Sequence, residues 1–110
     1  MKKKELILSR YTKSAVMLLA SLIKAARIQK RMTAEELANR MGVSRSLIHR
    51  MEKGDPACAV GTVFEAASIL GIPLFQSDYN ELQVKQAFLG EKLALLPSRA
   101  KKIKAVDDDF

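Results

Sequence analysis

The stretch Thr33-Ala-Glu-Glu-Leu-Ala38-Asn-Arg-Met-Gly42-Val-Ser-Arg-Ser-Leu-Ile48-His-Arg-Met-Glu52 decides the fold, because it encodes two short helices joined by one sharp turn. Ala38 falls midway along the first helix, where a small side chain lets the second cross closely. Gly42 follows at the point where a left-handed backbone stops a helix, a conformation glycine adopts without a Cβ penalty. Ser44 or Ser46 then caps the next helix by accepting from a first-turn amide. Leu37, Met41, Val43, Leu47, Ile48 and Met51 recur at spacings that place them between these helices and a small core.

Two helices so arranged are the sequence form of a helix-turn-helix, whose second helix enters a DNA groove. An ordinary helical hairpin has the same small residues, so composition must help decide. Nearly half of the 110 residues are apolar and none is tryptophan, with Ala, Leu, Ile, Met, Lys and Glu prominent, which implies an all-α chain with one modest core. The formal charge is +7, and between Arg10 and Lys53 ten basic residues face three acidic ones. A cationic surface of this kind concentrates polyanions, so it implies nucleic acid as partner; the alternative is a basic face that serves solubility.

Other chemistries find little support. Cys58 is the single cysteine and His49 the single histidine, nine residues upstream, so neither an internal disulfide nor a usual zinc spacing is available. No metal and no cofactor is expected. Paired carboxylates, a glycine-rich phosphate cradle and an activated nucleophile are absent as motifs, so no enzyme is expected. Lys2, Lys3 and Lys4 before the apolar run Ala15 to Ile23 resemble an export signal superficially, but Lys24 interrupts the cleavage region and the run is too short to span a bilayer. A cytoplasmic protein is the expectation, with Cys58 as a small packing residue.

Outward from the central stretch, residues 1–8 read as a basic leader and 9–96 as the helical domain. A first helix is predicted from Ser9 to Gln29, with Leu18, Leu19, Leu22, Ile23 and Ala26 near the helical period. Its apolar stripe is wider than one core face needs, and the surplus around Val16, Met17 and Leu18 packs either in a deeper core or on a second subunit. Thr33 to Met41 and Ser44 to Lys53 form the next two helices, Thr33 and Glu36 making a capping box. Gly54-Asp55-Pro56 ends the third. A fourth runs from Val60 to Leu70 with Val63, Phe64, Ala67 and Leu70 inward, and Gly71-Ile72-Pro73 stops it. The fifth runs from Tyr79 to Leu95, with Leu82, Phe88, Leu89 and Leu93 as its apolar side and Gly90 as a weak point. Residues 97–110 form a tail, basic and then acidic, with too little apolar content to order itself when free.

The pattern from Leu19 to Leu74 resembles the Cro and phage-repressor, or XRE, helix-turn-helix family. The resemblance rests on Leu19 to Arg27, on Ala38, Gly42 and Ile48, on Met51-Glu52-Lys53-Gly54, and on Ala67-Ser-Ile-Leu-Gly-Ile-Pro-Leu74. It implies a five-helix, lambda-repressor-like domain that binds double-stranded DNA as a two-fold homodimer. A narrower resemblance, in Gly54-Asp-Pro56, Gly61-Thr-Val-Phe-Glu-Ala-Ala67 and Val106-Asp-Asp-Asp-Phe110, is to HipB-like antitoxins, the DNA-binding partners of HipA-type serine/threonine kinase toxins. One departure stands out: many family members carry a phosphate-anchoring glutamine where this chain has Ala34. That contact then falls to the Thr33 hydroxyl, main-chain amides or Arg31.

The resemblance places Ser44, Arg45, Ser46 and His49 on the reading face of the third helix. Arg45 is the expected base reader, since guanidinium can donate two parallel bonds to guanine O6 and N7, although a phosphate grip is the alternative. For His49 a solvated or phosphate-bound state is an equal alternative. Thr33, Arg31, Arg40, Arg50 and Lys53 are assigned to the phosphate backbone. Arg27 and Glu52 match positions that pair in the family and are expected to form a structural salt bridge. In a dimer the reading helices would lie ~34 Å apart on an inverted-repeat operator. Asp107, Asp108, Asp109 and Phe110 are either a docking peptide for a toxin or a solubilising end. The alternative to an autoregulatory antitoxin is a prophage repressor or restriction-system controller with no toxin.

Overall fold

The computed structural model describes residues 6–100, which are helical with no strand among them. In chain order the elements are α1 (Arg10–Gln29), α2 (Ala34–Met41), α3 (Arg45–Glu52), α4 (Val60–Ile69), a short 3-10 turn (Leu74–Gln76) and α5 (Tyr79–Leu95). The all-α, five-helix expectation is met, and each bound agrees to within a residue at a cap. Ser9, Thr33, Ser44 and Asp78 stand just outside their helices as N-caps, their side-chain oxygens accepting from Thr12, Glu36, Leu47 and Glu81 amides.

The first four helices share one way of stopping. Amides of Met32, Val43, Asp55 and Ile72 donate back to the carbonyls of Arg27, Ala38, Arg50 and Ala67, closing the wide loop of a Schellman ending. The residue before each donor is left-handed: Arg31, Gly42, Gly54 and Gly71. At Gly54 a Cβ would also meet the Met17 sulfur, which the flexible, half-exposed Met17 side chain can move to accommodate, so its positive φ is what calls for glycine.

The chain divides into two compact units after Gln76, inside the 9–96 span that the sequence reading treats as one domain. In the first unit Ile23 of α1, Leu37 and Ala38 of α2, Ile48 and Met51 of α3, and Ala66 and Leu70 of α4 form a closed core. Leu19, Ala26, Met41, Val43, Val63 and Cys58 pack against it. Phe64 meets Phe75 edge to face, with ring centroids 6.2 Å apart. Ala38 is 2 % exposed, as a close crossing of α2 and α3 requires.

Only part of the expected α1 stripe faces this core. Leu19, Ile23 and Ala26 do, whereas Leu18 is 63 % and Leu22 47 % exposed. Leu18 belongs to the surplus for which the sequence leaves a deeper core or a second subunit open, and it lies outside the core. So does Leu22, which its spacing groups with the inward set because a helical period cannot tell two adjoining apolar faces apart. The second unit contains α5, which runs unbroken through Gly90, opens on an Asp78–Glu81 capping box and buries none of its own residues. Phe88, Leu89 and Leu93, expected as its apolar side, are all exposed. Among the described residues no helix is long and apolar enough to cross a membrane. Asp107, Asp108, Asp109 and Phe110 lie outside the described residues.

Candidate nucleic-acid interface

The α2–turn–α3 pair presents its two N-termini beside each other. Thr33 caps α2: its Oγ1 accepts from the Glu36 amide at 3.0 Å, while the Thr33 amide donates to Glu36 Oε1 at 2.9 Å. The Thr33 backbone amide first, and the Thr33 hydroxyl second, hold the Glu36 carboxyl below the ordinary carboxylate range. The Thr33 amide is thereby taken by its own helix. Its hydroxyl accepts from the Glu36 amide and also faces the Glu36 carboxylate, so a phosphate oxygen must share the hydroxyl proton with that carboxylate.

Ser44, rather than Ser46, caps α3, its Oγ accepting from the Leu47 amide at 3.1 Å. Arg45 is therefore the first residue of the helix, and Arg45, Ser46 and His49 are exposed with Ser44 beside them. Arg27, Thr33, Ala34, Glu35, Arg45 and His49 line one shallow open hollow between the two helix starts. Three of the named site residues thus meet there: Thr33, Arg45 and His49.

The hollow also contains Glu35, which the sequence reading left out. An acid in the first turn of a helix reads as a companion of the helix dipole. Its place beside Arg45 comes from the turn that folds α3 back, so no local signal could reveal it. A carboxylate in this position can accept from cytosine N4 or hold a neighbouring guanidinium.

Around this centre stand the other basic residues. Arg31, Arg40 and Lys53 are exposed and form no ion pair among the described residues. Arg50 differs, because its Nε donates to Asp55 Oδ2 at 3.0 Å. Any phosphate contact by Arg50 must compete with that carboxylate.

Beneath the hollow the expected Arg27–Glu52 bridge is present. Arg27 Nε and Nη2 donate to both carboxylate oxygens of Glu52, at 2.6 and 2.9 Å, and Nη1 donates to the Met32 carbonyl at 2.9 Å. With side chains only 12 % and 4 % exposed, the pair joins the end of α1, the turn before α2 and the end of α3. The hydrogen bond to the Glu52 carboxylate raises the Arg27 guanidinium pKa still further, so the guanidinium stays charged throughout the working pH range.

Residues 23–76 match the helix-turn-helix family model. This segment is a helix-turn-helix domain. It spans α2, α3 and α4 with the end of α1, which is the whole core and the hollow above it. Domains of this type bind duplex DNA through the second helix of the pair, and the domain is accordingly that of a DNA-binding transcription regulator. No curated protein and no solved structure matched the chain. Among the described residues no group of His, Cys, Asp and Glu is placed to hold a metal.

Proposed function

We propose that this chain is a sequence-specific repressor that lays the N-terminal end of α3 in the major groove of an inverted-repeat operator, as a homodimer. The observation that supports the reading most is the exposed Arg45 at the first position of α3, flanked by Ser44, Ser46 and His49 and framed by the Thr33 hydroxyl. Arg45 reads a guanine, worth ~1–3 kcal/mol against a wrong base. Thr33, Arg31, Arg40 and Lys53 take backbone phosphates and fix the register. Occupancy of a promoter then blocks transcription.

In its finer form the reading is of an autoregulatory, HipB-like antitoxin that also neutralises a HipA-type kinase toxin. Support for this comes from the sequence resemblance in Gly54–Pro56, Gly61–Ala67 and the acidic, aromatic-ended tail Asp107–Phe110. The experiment is a gel-shift series on the DNA upstream of the gene, with purification from the native operon. Arg45→Ala is expected to abolish specific binding while leaving any toxin inhibition intact, and deletion of residues 107–110 to do the reverse. If Arg45→Ala binds the upstream DNA as tightly as wild type, base reading by α3 fails. If nothing co-purifies and no kinase gene adjoins, the prophage or restriction-controller form replaces the antitoxin.

A further inference from the structure

The α1 helix carries a second apolar stripe that the core does not use. Tyr11, Ala15, Leu18, Leu22 and Ala25 follow one another at steps of four and three, the 3.5-residue spacing of a helix–helix seam. All five are exposed, Tyr11 by 84 %. Ile7, two residues before the Ser9 cap, is exposed as well, and polar Gln29 takes the next seam position after Ala25, so the apolar stripe ends there. Monomeric proteins seldom leave so continuous an apolar surface in water.

The order of sizes along the stripe says what covers it. Laid antiparallel on an identical helix about a two-fold axis at Leu18, the large Tyr11 meets the small Ala25 of the other copy. Leu18 meets Leu18, and Leu22, whose mirror position is Ser14, falls beside Ser14 and the small Ala15. A large side chain thus faces a small one at both outer layers, as close helix packing demands, and the surface is complementary to itself. No charged residue lies in the stripe, although α1 carries Arg10, Lys13, Lys24 and Arg27 and no acid. Arg27 is committed to Glu52, and the other three lie off the seam, so two copies bring no like charges face to face.

We infer that α1 is the dimer interface of this protein, two copies pairing antiparallel along Tyr11–Ala25 with Leu18 on the two-fold axis. The inference rests on the homodimer reading and names its surface. Tyr11 to Ala25 extends about 21 Å at 1.5 Å per residue. A seam of that length lies at the small end of specific interfaces, so free dimers exchange with monomers and DNA bearing both half-sites favours the pair.

Sedimentation equilibrium over a wide concentration series tests it, using the full chain with L18E, L18K and an equimolar mixture of the two. Leu18 is exposed, so both variants fold, which circular dichroism verifies. Because the residue faces its own copy, each variant alone places like charges together, and dimerisation weakens by ~100-fold or more. The mixture restores a dimer containing one copy of each, a result that a seam elsewhere or a different register does not give. If L18E dimerises like wild type, the α1 seam is wrong while the homodimer on DNA stands. If wild type is a monomer at every concentration and occupies each half-site of an inverted repeat independently, the homodimer reading falls and the seam with it.

Discussion

Arg31 occupies a backbone position that three glycines fill elsewhere in the same domain. Its φ of 55° matches the left-handed endings at Gly42, Gly54 and Gly71, yet an L side chain there costs roughly 1–2 kcal/mol. Strain of this kind persists where the side chain has work to do. Arg31→Gly therefore relieves that strain against the larger chain entropy of glycine, so urea unfolding should show stability unchanged or raised. Operator affinity should nevertheless fall, and a gel shift that finds it unchanged removes Arg31 from the phosphate contacts. The three glycines are legible in sequence because glycine before Val43, Asp55 or Ile72 announces a helix end. Arg31 is not, since arginine gives no sign of positive φ; only the cap at Thr33 implies that the chain must turn nearby. Cys58 was readable as a packing residue and lies against the core, where burial first and Asp55 second raise its thiol pKa. A protonated thiol is a poor nucleophile, so its alkylation in the folded protein should be slower than in urea.

At the scale of elements, one clamp and one cap govern the angle at which α3 is offered. Arg27→Ala strips the nearly enclosed Glu52 carboxylate of both its guanidinium bonds and frees the Met32 carbonyl. Loss of one partner of such a pair costs ~3–5 kcal/mol, a shift that urea melts should read directly and that a merely exposed bridge would not produce. The capping box of α2 has a pH signature of its own. The Glu36 pKa is lowered in the folded state, so its contribution is complete above the unfolded carboxyl pKa and is lost as pH falls through the folded value. Wild type should therefore exceed Glu36→Ala in stability at neutral pH, with the gap closing in acid. A gap that stays constant down through the carboxylate range would show the box to be energetically idle. Both devices were visible in sequence, the box from its spacing and the clamp only through the family resemblance, because residues 25 positions apart carry no local signature. The excess width of the α1 stripe around Leu18 was legible, whereas its division, with Leu19, Ile23 and Ala26 inward and Leu22 outward beside Leu18, was not. It is set by which side α3 and α4 occupy, a tertiary fact.

For the whole molecule, the net +7 already subtracts every acid, and pairing decides which cations remain available to phosphates. Arg27 is engaged by Glu52 and Arg50 by Asp55, and of the cations assigned to phosphates Arg31, Arg40 and Lys53 form no salt bridge among the described residues. Each neutralised phosphate releases condensed counterions, so log affinity falls with log salt at about 0.9 per contact. Three such contacts in each copy predict a slope of about −5 for a dimer on its operator and about half that for a monomer on one half-site. Arg50 separates this account from a simple count of basic residues. Gripping DNA would cost Arg50 its bond to Asp55, so Arg50→Ala should change the slope much less than Arg40→Ala or Lys53→Ala. Binding titrations across a salt series measure all three. Should Arg50→Ala flatten the line as strongly as Lys53→Ala, the Arg50–Asp55 pair opens on the operator and the cationic face is broader than the folded chain displays.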